Sequence, residues 1–291
     1  MITFSKLGNY GRLGNQLFQY AYLRSMALRL GTDFWCPQWD GDRIFDLHDE
    51  GVRINTAPEK LGDLYDQGVQ AGFSMSALMI KDGVDIQGYF QSEKYYQSRN
   101  VIREWYKFSE AIVKGAGAKF DVGQATDSVS ISLRLDEDYA KTREFFPMYP
   151  PEYYSEGIAK AANARRVLVF ADRIDLAKKF AEKIECELPL MFVEKLSPPE
   201  QLWLMTRCTE GNVLVNSTFA WWGGYLNANE NAVIVAPKEW VRPGVPVPIV
   251  NIVPDGWIKI DSLHPIWDNF QIWRITHPGE TLRRVLRKFE K

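Results

Sequence analysis

An arginine followed closely by three carboxylates is the stretch of the sequence best suited to chemistry: Arg134, Asp136, Glu137 and Asp138. A guanidinium keeps its charge and can pair bidentately with a diphosphate. Carboxylates at short range raise one another's pKa, as a general base requires. A salt bridge from Arg134 to Asp136 or Glu137 and a solvated acidic loop are the alternatives. A divalent-cation site is a further one, but Leu135 and the charge of Arg134 disfavour it.

A second candidate is the loop 11–16, in which Gly11 and Gly14 are followed by the amides Asn15 and Gln16. Glycines allow the backbone to approach a ligand closely, and the N-terminus of a following helix favours an anion. The loop has neither the third glycine of a dinucleotide fingerprint nor the lysine of a phosphate-binding loop. It therefore indicates an anion or sugar contact, or else an ordinary tight turn.

A third candidate joins hydroxyl groups to aromatic rings. Ser217 and Thr218 are favourable N-cap residues, and Phe219, Trp221 and Trp222 follow them directly. Hydroxyls at a helix N-terminus suit a phosphate. The alternative is a capped core helix whose aromatic side chains fill the interior, which is the simpler interpretation for the two tryptophans.

The remaining reactive side chains are few and scattered. The sequence has three histidines and three cysteines, with no CxxC spacing and no evident Ser-His-Asp or Cys-His set. This argues against hydrolases, a zinc site and a disulfide framework, so reduced cysteines are expected. The residues concerned are His48, His264, His277, Cys36, Cys186 and Cys208.

The elements that would position these residues alternate between strand and helix. A strand is predicted at 2–7 and a helix at 15–30, ended by Gly31. Arg134 ends a strand at 128–135 in which apolar residues alternate with polar ones. Alternating strands and helices predict a parallel sheet with its ligands at the carboxyl ends of the strands. The other predicted elements are strands at 84–89, 165–170, 212–215 and 232–236, and helices at 93–105, at 174–185 and from near 218.

Composition limits the class of protein. The chain has 291 residues, of which 46% are hydrophobic and 25% charged, with a net charge of −2. This favours a packed protein of two domains and argues against a nucleic-acid partner. Because it has neither a signal-peptide pattern nor an apolar run of about 18 residues, a soluble, cytoplasmic protein is expected. The basic tail around Arg283 to Lys288 indicates a packed terminal helix, with weak peripheral membrane contact as the alternative.

Taken together, several blocks of the chain resemble the α-1,2-fucosyltransferase family. The opening block with Gly14 and Asn15 is similar to that family's first motif, and the block around Trp221 and Trp222 is similar to its Ser-Ser-Phe-Ser-Trp-Trp motif. The blocks follow the family's order at residues 11–21, 87–95, 169–172, 217–223, 236–240 and 254–260.

One motif departs from the family pattern. The His-x-Arg-Arg-x-Asp signature stands here at 132–137, where Arg134 is kept but Ser132 and Leu135 replace the histidine and the second arginine. Glu137 takes the aspartate position. This version is similar to the single-arginine motif of the related protein O-fucosyltransferases.

The resemblance implies an α/β protein with a B-type glycosyltransferase architecture of two facing Rossmann-like domains. Residues 1–124 would form the N-terminal acceptor-side domain, 125–262 the C-terminal domain that binds the GDP-sugar, and 263–291 a helical tail. The implied reaction is an inverting transfer of L-fucose from GDP-β-L-fucose, in α-1,2 linkage, to a glycan acceptor, by default a terminal galactose. No metal or other cofactor is implied.

The resemblance also implies roles for individual residues. Arg134 would hold the β-phosphate and Asp172 the guanine edge, while Gly14 and Asn15 would face the reaction centre and Glu137 or Asp138 would act as the base. The diphosphate and the neighbouring nucleotide would be held by Ser217, Thr218 and Phe219. The rival hypotheses are a transferase of the same architecture that uses another GDP-sugar and a non-catalytic nucleotide- or glycan-binding relative.

Overall fold

The structure is a computed structural model that describes residues 1–68, 71–136, 142, 145–245 and 249–261. These residues form two compact units, each an α/β structure with a parallel sheet. The first unit contains the described residues of Met1–Gly115, Ser217–Leu226 and Pro246–Gly256. The second contains those of Ala116–Asn216, Asn227–Val245 and Trp257–Lys291.

The first unit has a sheet of four parallel strands in the order β2-β1-β4-β3. Its strands are β1 (Ile2–Thr3), β2 (Phe34–Trp35), β3 (Asp63–Asp66) and β4 (Val84–Gln87). Its helices are α1 (Leu13–Leu30), α2 (Gly41–Ile44), α3 (Arg99–Trp105), most of α4 (Glu110–Lys119) and α8 (Thr218–Tyr225). Gly31 ends α1 with φ 62°, the left-handed conformation expected of a glycine stop.

The second unit has a sheet of six parallel strands in the order β10-β9-β8-β5-β6-β7. Its strands are β5 (Ser128–Leu133), β6 (Arg166–Ala171), β7 (Leu190–Phe192), β8 (Gly211–Val213), β9 (Val233–Pro237) and β10 (Ile258–Ile260). Its helices, besides the end of α4, are α5 (Pro151–Lys160), α6 (Ile174–Ala181) and α7 (Pro198–Met205). The strand order is that of a Rossmann fold. Strands β5, β6 and β7 are added towards one edge and β8, β9 and β10 towards the other, so the strand order reverses between β5 and β8.

Strand β5 is buried on both faces although its sequence alternates apolar and polar residues. Two of its serines have polar partners in the interior, and the Ser128 Oγ donates to the Ala125 O at 2.8 Å. Ser130 is paired with Asn212 of β8, and the Asn212 Nδ2 donates a hydrogen bond to the Ser130 Oγ at 2.6 Å. The alternation thus marks a central strand whose second face is polar but covered.

Helix α8 packs within the first unit rather than with the strand that precedes it. The rings of Trp221 and Trp222 lie 4.5 and 4.9 Å from the ring of Phe18 on α1, and both tryptophans are fully buried. Their interpretation as core residues is therefore confirmed. This arrangement departs from the division expected from the sequence, which assigned residues 217–226 to the C-terminal domain with a boundary after residue 124.

No helix in the part of the chain that the structure describes is long and apolar enough to cross a membrane. The basic tail, 263–291, lies outside the described residues, so its helical structure and its membrane contact stay predictions. The cytoplasmic location also stays a prediction.

Candidate active site

Arg134 and Asp172 lie at the carboxyl ends of two paired strands of the second unit. Arg134 directly follows β5 and is half-buried, and Asp172 directly follows β6. Strand β5 is one of the two strands between which the strand order of the sheet reverses. Such switch points are where open α/β sheets bind ligands, so the fold places Arg134 at a position suited to a ligand.

The carboxylate of Asp172 is held by the backbone that leaves β5. The Leu135 N–H donates to its Oδ1 at 2.8 Å, and the Asp136 N–H donates to its Oδ2 at 3.4 Å. Desolvation by surrounding protein atoms raises the pKa of Asp172, and the negative charge of Asp136 adds to this, whereas the Leu135 hydrogen bond and the charge of Arg134 act against it. Each oxygen of Asp172 keeps an acceptor lone pair, since a carboxylate has about four. We call Arg134, Asp136 and Asp172 the strand-end cluster.

A second group of expected site residues meets in the first unit. Gly14 lies so close to the start of α8 that a Cβ atom on it would stand 2.5 Å from the Phe219 N and 2.6 Å from the Thr218 Oγ1. The Trp222 Nε1 donates to the Gly14 O at 3.0 Å. Gly14 therefore joins the loop 11–16 to α8, which explains the need for a glycine there by packing alone.

The N-terminus of α8 has no side-chain cap. Ser217 is the N-cap residue by position, but its side chain makes no capping hydrogen bond, contrary to the expectation for this residue. The first backbone bond of the helix runs from the Trp221 N–H to the Ser217 O at 2.9 Å. Ser217, Thr218 and Phe219 are half-buried, so this turn presents backbone N–H groups and two hydroxyls.

Asn15 is held in one orientation by two neighbours. The Gln91 Nε2 donates to the Asn15 Oδ1 at 3.0 Å. On another side, Gly11 has φ 94°, and a Cβ on it would lie 2.6 Å from the Asn15 Nδ2. Because its oxygen is occupied, Asn15 presents its NH2 group as a donor. We call Gly14, Asn15, Gln91 and residues 217–219 the loop-helix cluster.

Sequence reasoning did not identify the buried amides that hold this cluster. The Gln19 Nε2 donates to the Tyr10 O at 2.8 Å and to the Gly88 O at 3.1 Å. The Gln67 Oε1 accepts from the Tyr89 and Phe90 N–H groups at 2.9 and 2.8 Å. Gln19 and Gln91 fell within blocks that were compared with the family, whereas Gln67 did not, and no pattern distinguishes such glutamines from exposed ones.

Two of the expected catalytic residues, Glu137 and Asp138, lie outside the described residues. Within the described part of the chain, no group of three or more His, Cys, Asp or Glu side chains could hold a metal ion. The choice of base and the independence from metal therefore stay predictions.

Comparison with known proteins identifies the family. The family model of glycosyl transferase family 11 matches residues 78–248, which is more than half of the chain. The chain belongs to this family and is therefore a glycosyltransferase.

Two Escherichia coli relatives are similar to it in sequence. The O-antigen biosynthesis glycosyltransferase WbnK is 23% identical over 79% of this chain and 92% of its own length. An alpha-1,2-colitosyltransferase is 26% identical over 63% of this chain and 64% of its own length.

The fold resembles that of solved fucosyltransferase structures. The crystal structure of POFUT1 in complex with GDP-fucose has a TM-score of 0.52 and 12% sequence identity, and the match covers 81% of this chain and 96% of that one. The expected α/β architecture with parallel sheets, that of B-type glycosyltransferases, is thus confirmed.

Proposed function

We propose that this glycosyltransferase transfers L-fucose from GDP-β-L-fucose to a hydroxyl group of a glycan, with inversion and without a metal ion. The new linkage is α-1,2, and terminal galactose is the default acceptor. The observation that carries the proposal is the half-buried Arg134 at the direction reversal of the six-stranded sheet, in a chain of family 11. A permanent cation there suits a diphosphate.

The reaction is a single displacement. The acceptor oxygen forms a bond to C1 of fucose while the bond from C1 to the β-phosphate oxygen breaks, and its electron pair leaves with GDP. The acceptor hydroxyl loses its proton to a carboxylate, a role we propose for Glu137 or Asp138. Negative charge grows on the departing diphosphate, so fixed donors aimed at it stabilise the transition state more than the ground state.

Each cluster has a role in this proposal. Arg134 binds the β-phosphate, and the first turn of α8, which no side chain caps, binds the diphosphate and the neighbouring nucleotide through its N–H groups and hydroxyls. Gly14 supports that turn, and the NH2 group of Asn15 donates at the reaction centre. Asp172 accepts the N1–H and amino hydrogens of guanine through the lone pairs left by Leu135 and Asp136.

A second donor is supported by one observation. The alpha-1,2-colitosyltransferase is among the relatives, and colitose differs from L-fucose only in lacking the 3-hydroxyl. The altered motif, with Ser132 and Leu135 in place of histidine and arginine, is compatible with a changed donor. GDP-colitose is therefore the alternative donor, and the chemistry at the diphosphate is the same.

The test is release of GDP from GDP-fucose and GDP-colitose across a panel of glycan acceptors. We expect acceptor-dependent release with one of the two donors, and equal rates with and without excess chelator. Nucleotide binding without any turnover would contradict the proposal and indicate a non-catalytic relative. Activity that vanished with chelator and returned with Mg²⁺ or Mn²⁺ would require a metal site near Asp136.

A further inference from the structure

We propose that Tyr10 and Tyr89 form a platform against which the acceptor packs a pyranose ring, with a terminal galactose as the class of sugar. The inference rests on the proposed function and adds a binding site for the acceptor. Tyr10 lies in the loop that follows β1, and Tyr89 lies in the segment that follows β4.

The two tyrosines follow the strands between which the strand order of the first sheet reverses. Strands β1 and β4 are adjacent and parallel, with Thr3 paired with Asp85, but they are not consecutive in the chain. Segments at the carboxyl ends of two such strands bound the crevice in which open α/β sheets bind ligands. Both tyrosines thus belong to the ligand-binding edge of this sheet.

The two rings stack on each other in nearly parallel planes, which leaves the outer face of the pair for a sugar ring. Their centroids lie 4.8 Å apart with an angle of 16° between the planes, and both side chains are half-buried. Desolvation, together with the charge and the side-chain hydrogen bond of the neighbouring Tyr89 and the charge of Asp66, raises the pKa of Tyr10. The Asp66 Oδ2 accepts from the Gln87 Nε2 at 3.1 Å, and the charge of Asp66 acts on Tyr10, so a carboxylate lies near the aromatic pair.

The backbone of the platform is fixed at a conformational cost. Phe90 has φ 51°, unusual for a residue with a large side chain, and Gly88 has φ 155° on the other side of Tyr89. This conformation is kept by Gln67, which accepts from the Tyr89 and Phe90 N–H groups, and by Gln19, which binds both segments. Residues held in sparsely populated conformations by their surroundings concentrate at ligand sites.

The chemistry of the surface selects the occupant. In galactose the axial 4-hydroxyl leaves the C3–H, C4–H and C5–H bonds on one face, which packs on an aromatic ring while the hydroxyls bind polar groups at the rim. Tyr10 directly precedes Gly11, against which the Asn15 amide lies. The platform therefore adjoins, along the chain, the loop 11–16 that carries the residue proposed to donate at the reaction centre.

Kinetics of Tyr10→Leu, Tyr89→Leu and the double variant test the platform at saturating donor. We expect the acceptor KM to rise about three- to tenfold for each single change, as for the loss of one aromatic contact. The KM for the donor and the slow release of GDP into water should stay unchanged. Tyr65→Leu is the matched control, because this half-buried tyrosine lies on β3 and its hydroxyl contacts the Ser76 Oγ at 3.1 Å. Normal donor turnover with an unchanged acceptor KM in the double variant would overturn the platform while leaving the proposed function intact.

A binding measurement separates this inference from the donor chemistry. Saturation-transfer NMR with methyl β-galactoside and N-acetyllactosamine needs no donor and no turnover. We expect signal from the galactose ring with the unchanged protein and the Tyr65→Leu control, and its loss in the double variant, with circular dichroism unchanged. Equal signals in all the proteins, or no signal from either sugar with the unchanged protein, would overturn the proposal.

Discussion

The Gln91 Nε2 donates to the Asn15 Oδ1 at 3.0 Å, between residues 76 positions apart in the chain. Gln91 is only 7% exposed, whereas Asn15 is half-buried. A buried amide therefore determines which way a more accessible amide faces. This makes Gln91 a positioning residue, because it acts on the proposed reaction through Asn15.

Replacing Gln91 by Met keeps the size of the side chain but removes its donor. We expect kcat to fall about three- to tenfold with little change in the donor KM, since one hydrogen bond that orients Asn15 is lost. Gln91→Glu should cost more, because a carboxylate favours the reversed Asn15 amide and would turn its oxygen towards the reaction. Gln124→Met removes an amide on the second unit and is the control. A fall in folding stability without a change in kcat would show that Gln91 is only structural.

Gly14→Ala should destabilise the protein by about 1–3 kcal/mol, because the new Cβ would overlap the Phe219 N and the Thr218 Oγ1. Gly117→Ala is the matched control. Gly117 lies inside α4 with nothing within 4 Å of a Cβ, so alanine there should stabilise by about 0.5–1 kcal/mol. Thermal unfolding of both variants measures the contrast, and equal midpoints would show that the loop and α8 do not pack as described.

Parts of this architecture could be predicted because they depend on local signals. The stop at Gly31 and the central strand ending near Arg134 follow from residue type and periodicity. The adjacency of Asp172 to the exit of β5 follows from parallel pairing. The placement of α8 could not be predicted, because a helix that is apolar on all sides does not indicate which surface covers it.

The middle of the first unit was hard to assign for a related reason. Strand β3 is mostly exposed and has the polar sequence Asp-Leu-Tyr-Asp, so its alternation is weak. The hydrogen bonds of Gln19 and Gln67 form between segments far apart in the chain. Such contacts depend on the tertiary structure and leave no periodic signal.

Arg134 should be the main electrostatic catalyst, since Leu135 replaces the second arginine of the family motif. Arg134→Lys keeps the charge and loses the planar fork, whereas Arg134→Ala loses both, so kcat should decrease in the order Arg, Lys, Ala. The alanine variant should lose about 10²- to 10³-fold in kcat and less in GDP affinity. A folded Arg134→Ala enzyme that kept most of its kcat would mean that the leaving group is stabilised elsewhere.

Asp172 should make GDP binding sensitive to acid. Its pKa is raised above that of an ordinary aspartate, chiefly by desolvation, so it gains a proton at a higher pH and then accepts guanine hydrogens less well. Because the pKa of Asp172 is higher in the folded than in the unfolded protein, its protonation stabilises the folded state. Weaker GDP binding in acid therefore cannot be explained by unfolding caused by protonation of Asp172. Asp172→Asn should weaken GDP binding about 5- to 100-fold and flatten its dependence on pH. Titrations with GDP, ADP and UDP measure this, and equal affinities for the three in the unchanged protein would exclude the role.

Glu200 should stabilise the second unit above acidic pH. It is buried in the capping box of α7, where it accepts from the Ser197 N–H at 2.7 Å and from the Lys119 Nζ at 2.7 Å. Burial opposes its charge, but the hydrogen bonds from Lys119 and Ser197 outweigh it and lower the pKa of Glu200. The contribution of Glu200 to the free energy of unfolding is therefore fully present above the pKa that this residue has in the unfolded chain. It is lost as the pH falls through the lower pKa of Glu200 in the folded protein.

Glu200→Gln should cost about 1–3 kcal/mol at neutral pH and less in acid. Glu110→Gln breaks a pair with Lys114 in which both side chains are mostly exposed, and it should cost less than about 0.5 kcal/mol. Denaturant unfolding at two pH values measures both. A cost for Glu200→Gln that did not decrease in acid would contradict the assigned protonation.

The hydrogen bond from Trp222 to Gly14 joins residues 208 positions apart, so the first unit cannot be completed from its own N-terminal stretch. During synthesis, α1 is made long before the helix that covers Phe18. At a translation rate of about 5–20 residues per second, the interval is on the order of ten to forty seconds. Throughout it, the apolar face of α1 that later packs on Trp221 and Trp222 lacks its native cover. A nascent chain that stops before Ser217 would keep this surface open, which makes it the natural contact for a chaperone that binds apolar segments.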